Sequence, residues 1–422
     1  MSHGTTRTPR LLAGLALSAI LAVPPLAHAG LADEIADALV PDANPERNDV
    51  DPLLDRLVAK GVLTPEEAKE VDREVAEQDR FAVDVNGRIN IDAILYDGAD
   101  YVEGVPGDPN LRTGFAITDA RLGAEGRAYW DWLRYAIQAD FADRVEPNQI
   151  HVTLLDARIS LVDLIPFHTV NLGLVKPPFA RQQLMSSARL QFQERAIVFQ
   201  ELEDKFFDRD LGLRVGGRIP VAEDAVILKY GAGVFNGSGN SSIGGDDNEG
   251  KLVAIRGAVD LFHDMGDEEP DLSSGELGLS LGGGWFLNDD VSATPKGYEV
   301  DGELKVAGLS FTGGWVLIDY SPDLDANTQL PPFATDFNSE GWYIQGGYMV
   351  LPHLLELAAR YEQYDSNDQI EDNGDVSAFT GALNVYLLDH DVKSSLEYVS
   401  RTEDHGAKLE NDSLTLEMQL LF

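Results

Sequence analysis

Between residues 176 and 195 the chain sets Lys176, Arg181, Arg189 and Arg195 against a single carboxylate, Glu194. Positive charge concentrated in one segment of an otherwise acidic chain suits the passage or binding of anions, because charge at the narrowest point of a pore decides which ions pass. The same segment carries Leu184, Met185, Leu190, Phe192, Ile197, Val198 and Phe199. Such side chains do not rest in water, so the segment is expected to fold back against other parts of the protein. A second set of cations, Arg88, Arg121, Arg134 and Arg158, falls on four consecutive stretches of alternating sequence. They would form either a basic stripe or ion pairs with the neighbouring Asp92, Asp119 and Asp140.

Other chemistry finds little support. A hydrolase would need a serine or aspartate beside a histidine base. Two of the eight histidines, His3 and His28, lie in the leader, and none of His151, His168, His263, His353, His390 and His405 has a convincing nucleophile beside it. There is no cysteine, which removes disulfides and thiolate metal sites, and no acidic run has the spacing of a calcium loop. No catalytic residue, metal, cofactor or nucleic-acid partner is therefore expected.

The elements that must position the cations are strands. From Phe81 onward apolar and polar residues alternate, which places successive side chains on opposite faces of a strand. The last nine residues show it best: Leu414, Leu416, Met418, Leu420 and the terminal Phe422 share one face, and Thr415, Glu417 and Gln419 the other. Strands are predicted at about 82–96, 113–128, 133–143, 149–162, 168–175, 208–218, 225–236, 251–262, 275–287, 297–306, 309–319, 341–350, 354–364, 376–387, 392–401 and 413–422, roughly sixteen in all. Long polar connections fall at 97–112, 176–207, 237–250, 320–340, 365–375 and 402–412, and short ones lie between them. This is the alternation of outer loops and periplasmic turns in a membrane barrel. His263 to Ser274 breaks it, being long where a tight turn is expected. Tyr129, Trp130, Trp132, Tyr135, Tyr230, Trp285, Trp315, Trp342, Tyr348, Tyr361 and Tyr398 occupy outward positions, as interfacial aromatic girdles do, although ordinary packing would also hold them.

Residues 1–29 are read as a secretory signal peptide, with Arg7 and Arg10, an apolar run from Leu11 to Val23 and an Ala27-His28-Ala29 cleavage site. Residues 30–80 have helical spacing and include a capping box at Thr64-Pro65-Glu66-Glu67, and residues 81–422 form the all-β part. No stretch is apolar enough for a membrane helix, which leaves a closed antiparallel barrel as the spanning structure. The polar face assigns to the lumen a nearly balanced set of charges, including Arg88, Arg121, Arg134, Arg158, Arg214, Arg218, Lys229, Arg256, Lys305, Arg360 and Lys393 against Asp84, Asp119, Asp140, Asp260, Glu299, Asp301, Glu303, Glu356, Glu362 and Glu397. Unpaired charges in a dry core are costly, so this composition implies a water-filled lumen. The net charge of −40 must then sit largely in the N-terminal segment and in outer loops such as Asp246-Asp247-Asn248-Glu249 and Glu371-Asp372-Asn373-Gly374-Asp375. That rim could bind divalent cations weakly or simply remain solvated.

The stretch from Asn171 to Phe179, then Ser186-Ser187-Ala188, Phe192, Glu194-Arg195 and Arg209-Asp210-Leu211-Gly212, resembles the phosphate-selective porin O/P family. So do Asp119 to Gly126 and the helix from Leu53 to Ala68 with Lys60-Gly61-Val62-Leu63-Thr64. The resemblance implies a sixteen-stranded trimeric outer-membrane porin whose third outer loop folds into the lumen as a constriction. It also implies lysine and arginine rows, matched locally by Arg121, Lys176, Arg195 and Arg214. Overall basicity does not match, with 32 Lys+Arg against 72 Asp+Glu, so the resemblance leaves phosphate selectivity open.

The expectation is a passive outer-membrane channel for small hydrophilic solutes or ions, with anions such as phosphate among the candidates, seated in lipid as a homotrimer. Lys176, Arg181, Arg189, Arg195, Arg88, Arg121, Arg134, Arg158 and Arg214 would line its constriction. By analogy with the family, assembly machinery would read Phe422. The alternatives are a structural barrel with an occluded lumen that tethers the envelope, and a barrel enzyme. With the long loops outside, cysteines introduced at Asn236 and Asn367 should react with an impermeant thiol reagent on intact cells; labelling at Asp131 instead would invert the topology.

Overall fold

The computed structural model describes residues 57–58, 60, 62–69, 81–96, 113–142, 152–203, 207–222, 225–237, 250–289, 294–321, 336–406, 408–409 and 411–422. The expected leader and most of the 30–80 segment lie outside the described residues. Within that segment residues 65–69 are helical. Their first turn is the expected capping box: Glu67 accepts from the Thr64 amide at 2.7 Å and hydroxyl at 2.9 Å, and its own amide donates to the Thr64 hydroxyl at 3.2 Å. These bonds favour the ionised carboxylate and hold Glu67 below the usual range.

Sixteen strands close into one antiparallel barrel: β1 (Phe81–Tyr96), β2 (Gly114–Ala128), β3 (Trp130–Asp140), β4 (Thr153–Val162), β5 (His168–Val175), β6 (Asp210–Val221), β7 (Val226–Phe235), β8 (Leu252–Leu261), β9 (Gly278–Asn288), β10 (Lys296–Val306), β11 (Leu309–Tyr320), β12 (Phe337–Leu351), β13 (Leu355–Asp365), β14 (Val376–Leu388), β15 (Val392–Glu403) and β16 (Ser413–Leu421). Each strand pairs with its sequence neighbours, and β1 pairs with β16. The count and most boundaries agree with the alternation. The clearest boundary difference is at β12, which begins at Phe337 rather than near 341.

The strand faces sort as the period of two requires. On β16 Leu414, Leu416, Met418 and Leu420, followed by Phe422, are exposed to the outside, while Ser413, Thr415, Glu417 and Gln419 are buried within. The seam runs Arg88 opposite Leu421 through Tyr96 opposite Ser413. Beyond it the Gly87 amide donates to the Phe422 carbonyl at 2.7 Å, and the Phe422 amide to the Gly87 carbonyl at 3.1 Å. Short connections alternate with long ones, and Ala307-Gly308 joins β10 to β11 in two residues. Both residues have positive φ, 51° and 85°, as a two-residue hairpin turn demands.

The connection after β8 is no misplaced boundary. Residues 262–277 form a long, ordered excursion on the short-turn side, with Met265, Glu269, Asp271 and Leu272 buried. On the opposite side, the connection after β5 folds into the barrel. It contains α1 (Arg181–Leu184), a 3₁₀ turn at Ser187–Arg189 and α2 (Ile197–Leu202).

The core of the molecule therefore lies inside the barrel. Phe179, Ala196, Ile197, Val198, Phe199, Leu202 and Phe207 of the loop pack with Phe235, Phe286, Val316, Ile318, Tyr343 and Tyr364 of the wall. Phe179, Phe207 and Phe286 meet with centroids 4.5–5.0 Å apart. Each such burial contributes about 1.5–3 kcal/mol. The wall clears space for the loop with glycine: a Cβ at Gly284 would lie 2.0 Å from the Phe179 carbonyl oxygen, and one at Gly341 would lie 2.7 Å from the Val198 side chain. Gly284→Val should push the loop off β9 at a cost of roughly 1–3 kcal/mol. Limited proteolysis would then cut between Lys176 and Arg209 faster than in the parent, while the barrel keeps its heat-modifiable mobility.

Candidate functional site

The loop divides the lumen into two halves of different chemistry. Against β9–β16 it is packed, with Phe235 of β7 and Leu252 of β8 joining the same apolar cluster, and the wall's polar side chains serve the loop backbone. Glu362 accepts from the Ile197 amide at 2.6 Å, and Glu397 from the Gln193 amide at 3.0 Å. Lys393 donates to the Leu190 carbonyl at 2.9 Å, Asn384 to that of Gln191 at 2.8 Å and Arg360 to that of Glu194 at 2.9 Å. Arg360 also lies 4.8 Å over the Phe192 ring. The expectation that interior charges imply water throughout is thus corrected: in this half the charges are buried because the loop supplies their partners.

Along the remaining wall, from β1 to β8, a cavity of about 1450 Å³ stays open. Twelve cationic and seven acidic side chains line it, in a chain with a net charge of −40. The near balance expected for the wall as a whole conceals this segregation, in which many carboxylates sit beneath the loop and the cations face the opening. Of the expected site residues, Arg88, Arg121, Arg158, Lys176, Arg181, Arg189, Arg195 and Arg214 line this cavity. Arg134 lines an adjoining cavity of about 600 Å³ that shares Glu125, Arg158, Thr169 and Asn171 with the first.

The pairing reading holds for part of the arginine stripe. Arg88 meets Asp119 at 2.5 Å, and Arg121 bridges Asp119 at 2.6 Å and Asp140 at 2.9 Å. Arg158 meets Asp156 at 2.8 Å. Asp92 does not join them; the register sets it opposite Glu417. Among the described residues Arg134, Arg189 and Arg214 form no ion pair, and Arg214 donates only to the Lys176 carbonyl at 3.4 Å.

Three of the four cations concentrated over 176–195 are paired with carboxylates that lie outside that segment. Lys176 and Arg195 both meet Glu203, at 3.3 and 3.0 Å, a carboxylate further along the same loop. Arg195 also donates to the carbonyls of Gln182 at 2.9 Å and Met185 at 2.8 Å. Arg181 is paired with the fully buried Glu303. Among the described residues Arg189 alone of the four lines the opening without an ion pair, and the nearby Glu268 of the turn after β8 acts on it at longer range.

Arg209, which lines the cavity and pairs with Asp208 at 3.1 Å, was not singled out from sequence as a site residue. Its position at the end of a long loop gives no periodic signal. Arg218, Lys229 and Arg256 also line it, as their inward phase on β6, β7 and β8 indicates. Arg218 and Lys229 pair with Asp264 and Asp260, and Arg256 with Glu299 and Asp301. Of the acidic rim, Asp246, Asp247 and Glu249 lie outside the described residues. On the described part, His405 meets Asp375 at 2.8 Å.

Burial, helped by the charge on Arg195, pushes the Lys176 ammonium down to about 7, with Glu203 acting the other way. A depressed ammonium is charged below that value and neutral above it, so the cavity loses positive charge as pH rises through about 7. Reversal potentials in a salt gradient should move toward cation preference over that interval, and Lys176→Arg, which stays charged, should flatten the dependence.

The model of the family described as phosphate-selective porin O and P matches residues 83–271 and 325–422. An uncharacterized protein of Aquifex aeolicus (strain VF5) is 24% identical over 425 residues, covering 92% of this chain and 98% of its own. Among solved structures, the outer membrane channel DcaP of Acinetobacter baumannii aligns with a TM-score of 0.52 and 14% identity over 82% of this chain and 98% of its own. Salmonella typhi OmpF, solved with daunomycin, aligns with a TM-score of 0.51 and 11% identity over 82% and 99%. At such identities the structural likeness speaks for the fold.

Proposed function

The chain belongs to the phosphate-selective porin O and P family, and on that premise we propose that it passes small hydrophilic anions through the cation-lined cavity beside the inner loop. As a member of this family with a closed sixteen-stranded barrel, it is an outer-membrane channel for small solutes. The anion preference is carried by one observation: the open half of the lumen presents twelve cationic against seven acidic side chains, while the whole chain is strongly acidic. Selectivity belongs to the narrowest passage and not to the average charge of the barrel.

In this reading the loop from Lys176 to Arg209 is the constriction. Arg189 and Arg214, which form no ion pair among the described residues, offer charge to a passing anion, and Arg134 continues the row through the adjoining cavity. Arg88, Arg121 and Arg158, already paired, contribute weaker fields, while Lys176, Arg181 and Arg195 chiefly fix the loop. Inorganic phosphate, which the family description names, fits such a path as a small oxyanion recognised by guanidinium groups. The proposal extends to a homotrimer in outer-membrane lipid, to a cleaved leader over 1–29 and a periplasmic segment over 30–80, and to recognition of Phe422 during assembly. The open cavity favours a channel over an occluded tether.

Planar-bilayer recordings in a KCl gradient test this directly. The parent channel should reverse on the anion side, and Arg189→Gln with Arg214→Gln should shift the reversal potential toward cations without altering the folded fraction. A cation-preferring parent, or variants with an unchanged reversal potential, would sink the proposal.

A further inference from the structure

We infer that the turn between β8 and β9, residues 262–277, is a second constriction element entering from the short-turn mouth, and that its Glu269 is a positioning residue that holds Arg189 at the opening. This rests on the proposed role of Arg189 in the cation row. Glu269 is 1% exposed, and its contacts reach both arms of the inner loop. One carboxylate oxygen accepts from the Gln182 side chain at 2.8 Å and the other from the Gln191 amide at 2.8 Å. Its own amide donates to the Arg189 carbonyl at 3.1 Å. Three hydrogen bonds from one residue thus tie α1 to the segment just after the 3₁₀ turn and fix the backbone of Arg189 itself.

The turn is anchored well enough to act as a support. Lys305 of β10 donates to the Glu268 carbonyl at 2.6 Å, His390 meets the Glu268 carboxylate at 3.1 Å, and the Met265 amide donates to Asp260 at 3.0 Å. Further along, Asp271 accepts from the Gly308 amide at 2.7 Å, and the Leu272 carbonyl accepts from the His353 amide at 3.1 Å. The turn is therefore tied to four of the neighbouring hairpin elements, and Gly266 and Asp267 from it line the open cavity. A carboxylate this deeply buried persists only where it is fully hydrogen-bonded. Its donors come from the inner loop, so Glu269 and the loop hold each other in place.

The test compares Glu269→Ala and Glu269→Gln with the parent, each refolded as the full chain and recorded in planar bilayers. Glu269→Ala should raise open-channel noise and conductance and lose roughly half of the parent's reversal-potential shift, because Arg189 is released from the opening. Glu269→Gln keeps one acceptor oxygen and should fall between the two, which preserves the test if the alanine variant fails to fold. In the Glu269→Ala background, Arg189→Gln should add little further change; a role confined to stability would leave the Arg189 effect intact. Folded variants with the parent's noise, conductance and reversal potential would overturn the inference. A parent channel with no anion preference would fail the functional reading instead, and noise and conductance would still report whether Glu269 restrains the loop.

Discussion

Everything inside this barrel depends on one constraint: a long stretch of non-strand backbone is buried in the lumen, and its amides and carbonyls must find partners there. A buried N–H or C=O left unpaired costs about as much as a lost hydrogen bond. The strands cannot supply partners, because their own groups are used by the ladder. Side chains of the inner wall and of the turn after β8 supply them instead: Glu269 of the turn takes the amide of Gln191, wall carboxylates take those of Gln193 and Ile197, and Lys393, Asn384 and Arg360 reach the carbonyls of Leu190, Gln191 and Glu194. The acidic character of the barrel's interior on that side follows from this need.

The sorting of charge across the lumen has the same origin. Carboxylates that accept loop amides face the packed half, and the side of the barrel that borders the open cavity is left with arginines. Function then sits in the residue of that sorting, among cations that structure has not consumed. Arg181 and Arg189 illustrate the difference within one loop. The first is locked onto Glu303, while the second projects from a 3₁₀ turn whose backbone is held by the Glu269 amide, and it makes no ion pair among the described residues.

Strand count, closure, inward and outward faces and the inward phase of the wall arginines were legible in the sequence, because a period of two is local and a shift of one residue would reverse every face. The capping box at Thr64 was legible for the same reason, its partners being three residues apart. Long-range pairing was not. Nothing in the segment 176–195 reveals that Glu203 neutralises Lys176 and Arg195, or that Asp119 is shared by Arg88 and Arg121 while Asp92 faces Glu417. The turn after β8 looked like an irregularity because its role is defined by residues on β10, on the β14–β15 turn and in the inner loop. Those contacts join positions far apart in sequence, and no periodicity records them.

The seam between β1 and β16 carries a consequence for the order of folding. It joins residues more than three hundred positions apart, as Asn90 and Glu417 are, and contacts of such separation are slow to form because loop closure must come first. Until they form, both outer strands are open edges able to recruit foreign strands. The inner loop reaches this same seam: Gln419 of β16 donates to the Ala188 carbonyl at 3.1 Å, and Arg88 of β1 donates to the Ser187 hydroxyl at 2.8 Å. Loop entry and sheet closure are thereby coupled, since a loop that docks wrongly withholds two partners from the seam strands.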